Sequence, residues 1–234
     1  MRNKTSFFLA CACSLAFPAQ AGVFGPLGGA GLSGEYAQFT DSPFSGLNFS
    51  YFYLENYEDL ALNTPGVTAD NGSVVSLANS SAIDSVDADD GAVDGSGANG
   101  ASFVAGNSIS ISFNGAALGK LPTHAGIVFT DDTQGALITF EAFDQNGVSL
   151  GSVSATLGDS TFYSTTKDDR FFGAENAGGI SRIVISDNSS PNNLEVDHLQ
   201  YGLSAPVPEP ETYALMLAGL GLVGFAARRR RVGK

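Results

Sequence analysis

Short stretches of alternating apolar and polar residues, set between glycine- and asparagine-rich turns, constrain this chain more than any other feature. Ile109-Ser110-Ile111-Ser112-Phe113 alternates as a half-buried strand does. Ala125 to Phe129 is a continuous apolar run, the pattern of a strand buried on both faces. Ala136 to Phe143 and Val148 to Val153 flank Asp144-Gln145-Asn146-Gly147, which predicts a hairpin. Ile180 to Ile185 and Leu194 to Leu203 read as two further strands. No long 3.6-residue period occurs between Tyr51 and Leu203. The pattern predicts an all-β domain, an antiparallel two-sheet sandwich of jelly-roll type, over residues 51–204. Residues 22–50 are glycine-rich and read as an irregular lead-in, with a strand at most around Tyr36 to Phe39.

The two ends read as addresses rather than fold. Arg2 and Lys4, the apolar run Phe7 to Phe17 and the small-x-small site Ala19-Gln20-Ala21 predict a secretory signal peptide over residues 1–21. Cys11 and Cys13 are the chain's two cysteines and leave with it, so the mature chain has no disulfide, thiolate metal site or cysteine nucleophile. At the other end, Ala205 to Pro210 carries three prolines and reads as a linker. The stretch Thr212 to Ala227 has no charge and precedes Arg228, Arg229, Arg230 and Arg231. As a helix its 16 residues span roughly 24 Å at 1.5 Å each, short of a hydrocarbon core of about 30 Å. Tilting aside, thinning and snorkelling absorb that mismatch, so a transmembrane helix over residues 212–227 is expected. The arginines would stay cytoplasmic and the globular part outside.

The order Pro208-Glu209-Pro210, apolar helix and arginine cluster resembles the PEP-CTERM sorting signal of Gram-negative bacteria. The resemblance implies export, processing at the tripeptide by an exosortase-type enzyme, and a destination at the cell surface or in an exopolysaccharide-rich biofilm matrix. The body resembles a recurring extracellular domain of PEP-CTERM proteins. The matching stretches are YLENYEDLALNTPGV from Tyr53, DSVDADDGAVDGSG from Asp84, LPTHAGIVFTD from Leu121, DDRFFGAENAGGISRIVIS from Asp168 and LEVDHLQYG from Leu194. Its fold looks like the galactose-binding-type jelly rolls of carbohydrate-binding modules. By that resemblance a calcium ion lies between the first and last strands, with Glu58 and Asp59 beside the first strand and Asp197 on the last.

Between Gly22 and Val207 there are 22 acids against four bases, an excess of 18 negative charges. Such a surface attracts cations and disfavours nucleic acid, which needs clustered Lys and Arg. Asp84 to Gly97 is the densest acidic stretch, with Asp84, Asp87, Asp89, Asp90 and Asp94 among glycines. Oxygen ligands at alternating positions are what calcium prefers. The stretch lacks the twelfth-position Glu of an EF-hand, and reads either as a calcium loop or as a solvated acidic loop. Asp197, by strand alternation, shares a face with Leu199 and Tyr201 and is expected to be buried there, bound to a cation, paired with Arg182 or held by backbone donors.

His124 and His198 stand 74 residues apart, without zinc spacing, and read as structural hydrogen-bonders. Asp131-Asp132 and Asp168-Asp169 are the acid pairs from which a glycan hydrolase would be built. No nucleophile–base arrangement is visible, and the chain is expected not to be an enzyme. Arg170-Phe171-Phe172-Gly173 reads as a loop anchor. With no Trp, sugar stacking would fall to Tyr51, Tyr53, Phe162, Tyr163, Phe171 or Phe172. The expectation is a non-catalytic polysaccharide-binding protein with a structural calcium. A glycan hydrolase and a purely structural biofilm component are the alternatives.

Overall fold

A computed structural model describes residues 21–28, 34–76, 83–132, 134–161, 164–188, 194–206 and 210–232. Among the described residues, twelve strands fall into two antiparallel sheets. They are β1 (Gly22–Leu27), β2 (Phe49–Glu55), β3 (Val67–Ala69), β4 (Ser73–Ser76), β5 (Ala101–Val104) and β6 (Ser108–Phe113). After a one-turn helix α1 (Gly115–Leu118) come β7 (His124–Asp131), β8 (Ala136–Asp144), β9 (Ser149–Leu157), β10 (Arg170–Glu175), β11 (Ile180–Asp187) and β12 (Glu195–Ser204). The larger sheet runs β1-β10-β7-β12-β5-β4, with β2 also paired to β12. The smaller runs β3-β6-β11-β8-β9.

One core joins the sheets face to face. Ile109, Ile111, Ile138, Phe140 and Ile183 of the smaller sheet pack against Ile127, Phe129, Phe172, Val196 and Tyr201 of the larger. Phe140 stacks on Phe172 at 6.1 Å between ring centroids, and Phe113 meets Tyr201 at 5.1 Å. The fold is therefore a β-sandwich. The expected hairpin is present: Asp144 Oδ1 accepts from Asn146 N (2.7 Å) and Val148 N (2.8 Å), and Gly147 takes the positive φ of 76° that the turn requires.

Several expectations are corrected. Gly22–Leu27 is not irregular: it is an edge strand on β10, Val23 opposite Ala174. Tyr36 to Phe39 is no strand; Phe39–Asp41 is a short 3-10 turn. Arg170-Phe171-Phe172-Gly173 is strand β10, beside β7 in the larger sheet, because Phe171 and Phe172 each bury fully on opposite faces. They offer no sugar platform; Phe162 and Tyr163 lie outside the described residues.

A second apolar cluster explains the lead-in. Tyr36, Phe44, Val86, Val128 and Phe171 pack on the outer face of the larger sheet. The segment 34–47 and the acidic loop together cover that face, which would otherwise expose Val128 and Phe171 to water.

At the C-terminus a helix α2 runs Pro210–Val232. It starts at Pro210 rather than Thr212, since proline fits the first turn, where an N–H has no intrahelical partner. Among the described residues no helix is long and apolar enough to cross a membrane. The uncharged part is only 16 residues, and three glycines dilute it. Residues 1–20, including the signal segment and Ala19, and Pro208 and Glu209 lie outside the described residues; Ala21 directly precedes β1.

Candidate metal centre

The larger sheet collects acids at one end because its neighbouring strands are antiparallel. Asp131 ends β7 and Asp132 follows it, Asp168 and Asp169 lead into β10, and Glu195 opens β12 opposite Asp131. The acidic loop is laid across this end. Asp84 N donates to Glu195 Oε1 (2.8 Å) and Val86 N to Asp197 Oδ2 (2.9 Å). Thr165 N donates to both Asp84 carboxylate oxygens, at 3.0 and 3.1 Å.

The expected calcium ligands do not converge within the loop. Asp87, 1% exposed, turns inward and accepts from the backbone N–H groups of Asp94 (3.3 Å), Gly95 (3.2 Å) and Ser96 (2.9 Å). It closes the loop on itself. Asp90 caps Ala92 N at 2.8 Å, and Asp94 is exposed. Asp59 holds a turn through Ala61 N and Asn63 Nδ2. Glu58 Oε1 accepts from Ala101 N at 2.7 Å.

Asp89 and Asp197, expected in separate places, meet. Asp89, Asp197 and His198 each bring a ligand atom within 4.8 Å of the other two. The geometry depends on a bulge in β12. The pairing with β7 shifts between Asp197 and Gln200, and His198 takes φ 43°. The bulge places Asp197 opposite Val128 on the outer face, with His198 and Gln200, while Leu199 and Tyr201 return to the core. Asp197 is therefore buried as expected but on the other face. Strict alternation could not reveal one inserted residue. Arg182 is not its partner; that guanidinium lies over the Phe143 ring at 3.8 Å.

A polar chain locks the imidazole. Ser42 Oγ donates to Gln200 Oε1 (2.5 Å), and Gln200 Nε2 to the Tyr36 hydroxyl (2.9 Å). Tyr36 Oη lies 3.2 Å from His198 Nδ1, and His198 Nε2 lies 3.2 Å from Asp89 Oδ1. Asp197 Oδ1 accepts from His198 N at 2.6 Å. Asp89 Oδ2 is buried without a hydrogen-bond partner. Burial, and then the neighbouring Asp89, pushes the Asp197 carboxyl well above the usual range.

The second group is all carboxylate. Asp169 is fully buried, Asp168 is 5% and Asp131 7% exposed. Both oxygens of Asp168 and Asp169, and Asp131 Oδ1, have no hydrogen-bond partner. Burial is the main cause raising Asp84 to about 8, and Asp131 and Asp168 to about 7, with repulsion between neighbouring carboxylates adding to it. Asp169 rises for the same reason, with Asp84 the largest electrostatic influence after burial. Sequence reasoning read Asp131-Asp132 and Asp168-Asp169 as the pairs a hydrolase would use, and Asp84 as part of the acidic loop. The signal for their convergence is positional: doublets at the end of one strand and the start of its antiparallel neighbour.

His124 is structural, as expected. Its Nδ1 lies 3.0 Å from Thr123 Oγ1, and its ring meets Phe44 and Phe49 edge-on at 5.3 Å. A cavity of about 280 Å³ lies apart from both acidic groups, lined by Lys120, Leu121, Thr123, Gln145 and Leu203 among others, none a carboxylate.

Comparison with known proteins speaks to the tail. Residues 206–231 match the PEP-CTERM protein-sorting motif. No curated protein and no solved structure matches the chain significantly. The match spans the linker, α2 and the arginine cluster, including Pro208, Glu209, Pro210 and Arg228 to Arg231. The chain thus pairs a β-sandwich with a PEP-CTERM sorting motif, the mark of an exported protein sorted by an exosortase.

Proposed function

We propose that the chain is a non-catalytic protein of the cell surface or extracellular matrix whose sandwich binds polysaccharide. The observation that carries this reading is a sorting motif at residues 206–231 directly behind a β-sandwich. Before processing, α2 holds the chain in the membrane, with Arg228 to Arg231 on the cytoplasmic side. Its short uncharged stretch suits a transient anchor.

Burial argues against hydrolysis. A glycosidase needs two carboxyls flanking an accessible sugar bond. Asp131, Asp132, Asp168 and Asp169 are all 7% exposed or less. Polysaccharide is better received at the cavity beside Lys120, Thr123 and Gln145, which offers polar groups to sugar hydroxyls. Half-buried Tyr51 adjoins it, its hydroxyl donating to the Lys120 carbonyl at 2.7 Å. Calcium, on this reading, is structural and is drawn to the buried Asp131, Asp168 and Asp169, whose unpartnered oxygens are the hard ligands it takes.

The test has two arms. Fractionation of a host with and without its exosortase should show the chain leaving the membrane only when the enzyme is present. The full chain, purified in mild detergent, should bind host exopolysaccharide without releasing products, and Tyr51→Ala should weaken binding. Reducing-end release would overturn the non-catalytic reading; retention in the membrane in both hosts would overturn the sorting one.

A further inference from the structure

We propose that Asp89, Asp197 and His198 bind a first-row divalent transition-metal ion, zinc being the probe, which clamps the acidic loop to the bulge of β12. The site stands independently of any polysaccharide or calcium at the other acidic group.

The donor set is one imidazole nitrogen and two carboxylates. Zinc takes such nitrogen and oxygen ligands in three-residue sites, whereas calcium takes oxygens alone. The three ligand atoms already lie within 4.8 Å of one another. Ligands bound at about 2.0–2.2 Å span no more than that, so little movement is needed. The side chains of His198 and Asp89 are only 4% and 9% exposed, and Asp197 is fully buried.

Two further observations point the same way. Asp89 Oδ2 is buried with no N–H donor on it and the Asp197 carboxylate beside it, although Oδ1 of the same carboxylate meets His198. Such an orphan acceptor costs free energy unless something occupies it. His198 also has what a metal-bound histidine commonly has: a polar partner on its other ring nitrogen, here Tyr36 Oη at 3.2 Å from Nδ1. With the ion on Nε2, Nδ1 carries the proton and donates to the Tyr36 oxygen. Tyr36 is then a positioning residue, fixed in turn by Gln200.

The alternative is a purely hydrogen-bonded cluster in which His198 Nε2–H donates to Asp89. Asp89→Asn separates the two, because it keeps an acceptor oxygen for that bond but withdraws the carboxylate a metal needs. The full chain, stripped with chelator in mild detergent, is titrated with zinc and with cobalt(II). One equivalent of zinc is expected to bind and to raise the melting temperature. Cobalt should give visible absorption bands that zinc displaces. Asp89→Asn should melt within a few degrees of the parent without metal, yet lose the zinc shift and the cobalt bands. Tyr36→Phe should weaken zinc about 10- to 100-fold, the range for losing such a second partner. His124→Gln should bind as the parent does. If Asp89→Asn fails to fold, His198→Asn serves, since asparagine tolerates the positive φ at that position. Absence of zinc binding by the parent chain, or binding by Asp89→Asn or His198→Asn equal to the parent's, overturns the proposal.

Discussion

Replacing Asp87 with alanine tests whether the acidic loop is organised by its own backbone or by an ion. The Asp87 carboxylate is 1% exposed and accepts three backbone N–H groups, from Asp94, Gly95 and Ser96. Hydrogen bonds to a charged acceptor contribute about 1.5–3 kcal/mol each when fully buried. Asp94 and Gly95 are exposed, so their freed N–H groups regain water, and about 1 kcal/mol each is the better figure. The expected loss is about 3 kcal/mol in all. At roughly 2–4 °C per kcal/mol for a domain of this size, the melting temperature should fall by about 6–12 °C. Asp87→Asn, which keeps one acceptor, should fall by about half as much. The assay is a thermal melt of the full chain by far-ultraviolet circular dichroism, in chelator and in excess calcium. A backbone organiser loses the same amount in both. A drop of less than about 2 °C would refute the reasoning from hydrogen bonds. A loss confined to calcium would make Asp87 a ligand after all.

Three other outcomes follow from packing and burial. A Cβ on Gly126 would lie 2.2 Å from Phe171 Cζ and 2.6 Å from the Phe172 carbonyl oxygen, so Gly126→Ala should cost about 1–3 kcal/mol or more, read as a lowered melting temperature. An unchanged melt would mean that β7 and β10 can part freely. Phe140→Ala empties a fully buried site between the sheets and should cost about 3–5 kcal/mol; a loss below 1 kcal/mol would show that the core collapses around it. Burial raises the phenols of Tyr36 and Tyr57 well above the ordinary value and Tyr51 to about 12. The unfolded chain then releases phenolic protons from about pH 10 while the folded chain keeps them. Stability is unaffected below pH 10 and falls as pH rises towards 12. The phenolate absorbance of Tyr36, Tyr51 and Tyr57 should appear only as ellipticity is lost; ionisation of every tyrosine near pH 10 in the folded state would contradict this.

The strands with strong alternation or unbroken apolar runs were legible: β6, β7, β8, β9, β11 and β12 all lie where their patterns place them. Those missed are short or punctuated, except β10, which its Arg170 and Gly173 made read as a loop anchor. β3 has three residues and β4 four, and β1 contains Gly22, Gly25 and Pro26, so its strand character comes from pairing with β10 rather than from propensity. The site was half legible. Asp89 and Asp197 stood out as acids worth weighing, but 108 positions separate them in the chain, and only the loop's hydrogen bonds to β12 bring them together. The bulge at His198 left no mark in the sequence, because any residue tolerant of positive φ could occupy it.

The position of β12 bears on the order of events at the export channel. It is the last strand in the chain, yet it pairs with β2, β5 and β7. A chain that emerges N-terminus first therefore holds β2, β5 and β7 without their shared neighbour until residue 204 has crossed. The edge strand β1, near the start of the chain, must likewise await β10, some 150 residues later. Such long-range pairing folds slowly and leaves strand edges open to wrong partners meanwhile. Only a few residues separate the end of β12 from α2. If the sorting tail holds the chain in the membrane, as proposed above, the chain would gain time to insert its central strand while still tethered, and processing would release a closed sandwich rather than an unfinished one.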